Sequence, residues 1–134
     1  MPALFSDQWV SLYGDAWNSD PELSGALAKI GFNSTIAYGF QGEDNPRCYI
    51  KVEGGAVTES GAYSGQPLSW DLRASPADWD KWMSKGLGMM SLGIAYTTGK
   101  LKFKVGDYTA MVKNPAMAGP FIKSFSAMGR VPRD

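Results

Sequence analysis

Between Gly99 and Gly106 apolar and charged side chains alternate strictly, Leu101, Phe103 and Val105 against Lys100, Lys102 and Lys104. Side chains change face at every residue of a strand, so this pattern predicts a half-buried strand with one apolar and one cationic face. Gly106-Asp107 then leads into Tyr108–Met128, where apolar residues recur at helical spacing. Upstream, Trp9, Leu12, Tyr13, Ala16 and Trp17 predict an amphipathic helix that Ser6 caps. Asp20-Pro21-Glu22 starts a second, lined by Leu23, Ala26, Leu27 and Ile30 and ended by Gly31. The period changes to two from Phe32, with Ile36, Tyr38 and Phe40 on the same face and Asn33, Thr35 and Ala37 opposite.

Arg47–Glu53 and Ala56–Glu59 flank Gly54-Gly55, a pair suited to the positive φ angles of a tight hairpin. Leu68, Trp70 and Leu72 alternate with Ser69, Asp71 and Arg73 as another strand. Ser75-Pro76-Ala77-Asp78 opens a helix whose apolar edge is Trp79, Trp82 and Met83. Glycine costs a helix roughly 1 kcal/mol relative to alanine. Gly86–Gly93 is therefore expected to form a break or mobile joint, with a short helical piece running on through Tyr96. Asn114-Pro115 caps a last helix with Met117, Phe121, Phe125 and Met128 on its inner face. This order of elements predicts an α+β domain, with helices over one face of a mainly antiparallel sheet.

At 134 residues the chain is read as one domain, 1–134, large enough to bury its own core. With 44% hydrophobic and 19% charged residues it has a globular composition. The longest uncharged run, Gly86–Gly99, falls short of the roughly 20 residues that cross a bilayer. Met1–Phe5 lacks the basic region of a secretory signal, so the expected address is the cytoplasm. Cys48 is the only cysteine and histidine is absent, which removes internal disulfides, the Ser-His-Asp triad and the commonest metal ligand. No cofactor and no metal is expected. Cys48 shares a strand face with Ile50 and Val52 and reads as an inert buried thiol.

The formal net charge of zero conceals an asymmetry. Residues 1–80 carry 4 basic and 11 acidic groups, residues 81–134 carry 9 basic and 2 acidic. Either the acidic half neutralises this basic surface in the fold, or the surface is free to attract anionic head groups. Besides Met1, every methionine (Met83, Met89, Met90, Met111, Met117, Met128) also lies from residue 83 onward. Unbranched, polarizable methionine suits a cavity for ligands of variable shape, although stripes at helical spacing also serve as plain core.

Gly99-Lys100-Leu101-Lys102-Phe103-Lys104-Val105-Gly106-Asp107 followed by an apolar helix resembles the Gly-Lys-Leu-x-Ile-x-Gly-Asp signature of the sterol carrier protein family, small lipid-transfer domains. The likeness covers about Ser75–Val131, departs by one spacer residue before Gly-Asp, and ends on Pro132-Arg133-Asp134 where peroxisomal members carry a targeting tripeptide. It implies a curved five-stranded sheet whose helices roof an apolar tunnel. On that basis the expected ligand-binding residues are Trp79, Trp82, Met83, Met90, Ile94 and Phe103, with Val105, Met111, Met117, Phe121 and Phe125. The implied partner is a hydrophobic small molecule, a fatty acyl chain, sterol or similar lipid.

Competing chemistry is poorly supported. Gly86-Leu87-Gly88-Met89-Met90-Ser91 lacks the third glycine and the preceding strand of a dinucleotide fingerprint. Gly42-Glu43-Asp44-Asn45 reads as a turn rather than a calcium loop. Alternation sends Phe103 away from Lys102 and Lys104, which argues against nucleic acid as a partner. An enzyme would have to use a carboxylate or tyrosine, Asp107 and Tyr108 being the first suspects. The expectation is a non-enzymatic carrier that meets anionic membranes transiently through Lys81, Lys85, Lys113 and Lys123, with Gly86, Gly88 and Gly93 as its hinge. The alternative is an accessory module whose groove holds a partner segment or shelters an enzyme's substrate.

Overall fold

Helix α1 (Asp7–Asn18) begins where the Ser6 hydroxyl accepts a hydrogen bond from the Trp9 N–H at 3.2 Å. It buries Trp9, Val10, Tyr13 and Trp17, the stripe its spacing predicts except that Leu12 faces solvent and Val10 does not. The computed structural model describes residues 2–133; Met1 and Asp134, which figure in the reading of the two chain ends, lie outside it. After α1, Asp20 caps a wide π-helical turn, Pro21–Gly25, that runs into the short helix α2 (Ala26–Ala28). Leu23 and Leu27 are buried, whereas Ile30 lies beyond the helix and is exposed.

Five strands follow, β1 (Ser34–Phe40), β2 (Cys48–Glu53), β3 (Ala56–Ala62), β4 (Trp70–Ala74) and, after two helices, β5 (Lys102–Val105). Their order in the sheet is β3-β2-β1-β4-β5. Neighbours run antiparallel except β1 and β4, which are parallel with Ile36 opposite Trp70 and Tyr38 opposite Leu72. Gly54 and Gly55 turn the β2–β3 hairpin at φ 56° and 85°, conformations open to glycine at little cost. The Gly55 carbonyl accepts the Trp17 indole N–H at 2.9 Å, tying α1 to the hairpin tip.

One sheet face carries Ile36, Tyr38, Ile50, Val52 and Leu72, all buried under the helices. Segment 63–69 connects β3 to β4, and Tyr49, whose place opposite Ala37 puts it on the other face, donates its hydroxyl to the Glu59 carboxylate at 2.6 Å. Also on that face Asp71 and Arg73 form a buried, two-point ion pair of 2.6 and 2.9 Å, and a third Arg73 N–H donates to the Glu43 carbonyl.

Helix α3 (Pro76–Lys85) is capped by Ser75, and α4 (Met89–Thr97) begins past Gly86-Leu87-Gly88, so the break is shorter than the sequence suggests. Gly99, Lys100 and Leu101 close α4 rather than extend β5: the Lys100 and Leu101 N–H groups both donate to the Ala95 carbonyl. Asp107 caps α5 (Tyr108–Val112), and Asn114 caps α6 (Pro115–Gly129), the latter as the sequence indicates. Between α1, α3, α6 and the sheet lies an aromatic core in which Trp79 meets Phe5, Tyr38, Trp82 and Phe125 with ring centroids 5.2–6.2 Å apart.

Candidate functional site

Where α5 and α6 pass over the inner sheet face they leave an apolar cavity. Its floor is Ile36 and Tyr38 of β1 with Trp70 and Leu72 of β4, and Trp17, Leu27 and Phe32 close one side. The roof is Met111 of α5 and Met117, Pro120, Phe121 and Ser124 of α6. The cavity holds about 40 Å³ of space for the centres of water-sized spheres. One water needs roughly 10–15 Å³ on that measure. Drug-sized ligands occupy pockets of roughly 300–1,000 Å³. As it stands the cavity is too small for an acyl chain, which would fit only if the space between sheet and helices widened.

No lining side chain is charged. Of the four lining side chains that carry a nitrogen or oxygen, three are hydrogen-bonded: Trp17 Nε1 donates to the Gly55 carbonyl, Tyr38 Oη lies 2.9 Å from Tyr13 Oη, and Ser124 Oγ donates to the Phe121 carbonyl, while the Trp70 indole N–H has no partner among the described residues. Burial pushes both phenols well above their ordinary values, so they stay protonated and neutral. The walls offer an occupant mainly apolar area, which selects for shape and hydrophobicity.

Of the residues expected at the site, Met111, Met117 and Phe121 line this cavity. Phe103 is half-buried beside it, its ring 5.9 Å from Phe121. Trp79, Trp82, Met83 and Phe125 lie instead in the closed core, one helix face deeper, where Trp79 Nε1 donates to the Gly39 carbonyl. Met90 and Ile94 are 81% and 56% exposed, because α4 buries its opposite side, Leu92 and Ala95. Val105 is 39% exposed. The β4–β5 register shifts between Asp71 and Leu72, so Phe103 pairs with Leu72 but Val105 with Asp71. This bulge breaks the simple alternation and moves Val105 to the outer face.

Trp17, Leu27, Phe32, Ile36, Tyr38, Trp70, Leu72, Pro120 and Ser124 were not expected at the site. Ile36, Tyr38 and Leu72 alternate visibly as an inward face in the sequence, but nothing local shows that β1 and β4 pair beneath α6.

The two suspects for proton transfer, Asp107 and Tyr108, lie side by side at the start of α5. The Asp107 carboxylate accepts the Ala110 N–H as a helix cap at 3.0 Å. Partial burial, with Tyr96 stacked 3.8 Å away, raises the Tyr108 phenol further from neutral pH. Cys48 is buried and its thiol is pushed up by burial. Among the described residues no three His, Cys, Asp or Glu side chains gather closely enough to hold a metal ion, and no helix is long and apolar enough to cross a membrane.

The fold is that of sterol carrier protein 2. A crystal structure of sterol carrier protein 2 superposes with a TM-score of 0.76 at 18% identity, over 96% of this chain and 99% of that one. The solution structure of a conserved hypothetical protein from Thermus thermophilus, described as possibly a sterol carrier protein, gives 0.64 at 18% identity over 96% and 91%. A structure described as UbiJ-SCP2 ubiquinone synthesis protein gives 0.58 at 13% identity over 91% and 88%. No family model and no curated protein sequence matches the chain.

Proposed function

We propose that the chain is a non-enzymatic carrier that binds or transfers an apolar molecule, a fatty acyl chain, a sterol or a similar lipid, between the sheet and helices α5 and α6. The observation that carries this reading is the uncharged cavity, walled almost wholly by apolar side chains. The sterol carrier protein 2 fold supports it. Within the proposed site Met111, Met117, Phe121 and Phe103 supply the adaptable wall, and Trp17 and Trp70 report on its contents. The setting we assign is the cytoplasm.

The test is native mass spectrometry of freshly purified protein followed by extraction, alongside titration of a fluorescent fatty acid and a fluorescent sterol. The expected result is an extractable apolar molecule and saturable micromolar or tighter binding that changes tryptophan emission. No saturable signal across several chain lengths and sterols defeats the reading.

A second reading is an accessory module that shelters an apolar substrate for an enzyme partner. It is favoured by the fold neighbour whose description places that protein in ubiquinone synthesis. Co-purification of an enzyme with the loaded protein would support it over free transfer.

A further inference from the structure

Helix α4 has no charged residue and no polar face. Leu92 and Ala95 point into the protein, while Met89, Met90 and Ile94 are 46%, 81% and 56% exposed. An apolar helix normally packs on all sides, and this one is covered on one side only. We infer that the outer face of α4 is the surface by which the protein docks on an anionic lipid bilayer, Met89, Met90 and Ile94 entering the head-group zone between flanking lysines. The inference rests on the carrier reading for its purpose, but not for its chemistry.

The charges decide between lipid and protein. Three cations of the basic half are matched by the acidic half, Lys123 by Glu22 at 3.1 Å, Arg130 by Asp20 at 3.3 Å and Arg133 by Asp80 at 2.7 Å. Among the described residues Lys81, Lys85, Lys100, Lys102, Lys104 and Lys113 form no ion pair. All six are exposed. Between Asp80 and Asp107 the chain has no acid at all. Apart from Lys113, which follows α5, this unpaired charge thus sits on the segments that run into and out of α4.

Every arginine is paired within the protein. What remains is lysine, a mobile, strongly hydrated point charge suited to diffuse attraction. Protein hot spots favour tryptophan, tyrosine and arginine, whereas flexible apolar residues framed by lysine suit an anionic interface.

The surface also reaches the cavity. Tyr96 of α4 stacks on Tyr108 of α5 at 3.8 Å and meets Phe103 at 5.8 Å, and Phe103 touches the cavity wall at Phe121. Docking through α4 therefore presses on the aromatic contacts beside the roof.

The experiment is co-sedimentation with vesicles of phosphatidylcholine alone or mixed with phosphatidylglycerol, at low and molar salt. The wild type is expected to bind the mixed vesicles at low salt only. Met90→Asp and the pair Lys100→Glu, Lys102→Glu should each weaken binding by about tenfold or more, all three positions being exposed enough to leave the fold intact by circular dichroism. Ile94→Trp should shift its emission to the blue on mixed vesicles and be quenched by brominated lipid. A wild type that ignores mixed vesicles, or variants that bind as it does, overturn the inference. So does a dimer that Met90→Asp dissociates, which would make the face an interface between copies. Titration of a fluorescent fatty acid without vesicles separates the two claims: saturable binding with no docking defeats only the docking surface, and docking without saturable binding defeats only the carrier.

Discussion

Gly106 lies against the ring of Trp70, so close that a Cβ there would overlap the indole carbons. Its φ of 110° is in addition a conformation that side-chain-bearing residues avoid. The glycine of the Gly-Asp pair thus lets β5 turn into α5 across the wall of the cavity, while Asp107 caps α5. Gly106→Ala is expected to destabilise the fold by about 2 kcal/mol or more, backbone strain and steric overlap adding. Urea unfolding monitored by tryptophan emission measures both the loss and the displacement of Trp70. An unchanged midpoint would contradict this account of the motif.

The Asp71–Arg73 pair makes a second prediction. Both side chains are almost wholly buried, and truncating one partner leaves the other charge without compensation. Asp71→Ala should cost about 3–5 kcal/mol, whereas Asp71→Leu with Arg73→Met should cost far less, because both charges leave together. Denaturation of the single and double variants checks it: equal losses would mean that the pair itself, rather than the orphaned charge, carries the stability.

Capping and turn chemistry made the element boundaries legible. Ser6, Asp20, Ser75 and Asn114 all accept the hydrogen bonds their positions imply. Cys48 is buried on the face expected from Ile50 and Val52. The site was less legible, because a helical stripe shows that residues share a face but not how deep that face lies. Phe121 and Phe125 are one turn apart, yet the first borders the cavity and the second is packed against Trp79. Val105 escaped because a bulge at one residue resets the alternation, which depends on the partner strand. The matching of Lys123, Arg130 and Arg133 with acids far away in sequence was likewise a property of the packed molecule.

Alkaline pH should expose the buried phenols. Tyr13 and Tyr38 have their folded pKa values raised by burial, so the neutral form is favoured in the folded state. The unfolded chain ionises its tyrosines near about 10 and binds fewer protons there than the folded chain. Their contribution to stability is complete below that pH and is lost as pH rises from it towards the folded values. Urea midpoints should therefore fall on going from neutral to strongly alkaline pH, less so in Tyr13→Phe, Tyr38→Phe. A midpoint fall of equal size in wild type and double variant would show that other groups set the alkaline limit.

The cavity and the core are separated most directly by placing one carboxylate in each. Met117 is half-exposed and borders a space that must widen before any lipid fits, so an aspartate there can turn to water without breaking close packing. Phe125 is fully buried between Trp79, Trp82 and Phe121, where a carboxylate has no water and no partner. Burying such a group costs several kcal/mol, comparable with the roughly 5–15 kcal/mol that holds a domain folded. Met117→Asp is thus expected to keep the wild-type circular dichroism spectrum and lose fluorescent fatty acid binding at least tenfold. Phe125→Asp is expected to unfold. If Met117→Asp also unfolds, α6 packs as a closed core along its whole inner face, and the milder Met117→Gln then decides whether the roof contributes to binding. A folded Met117→Gln that binds as the wild type does would place the ligand elsewhere.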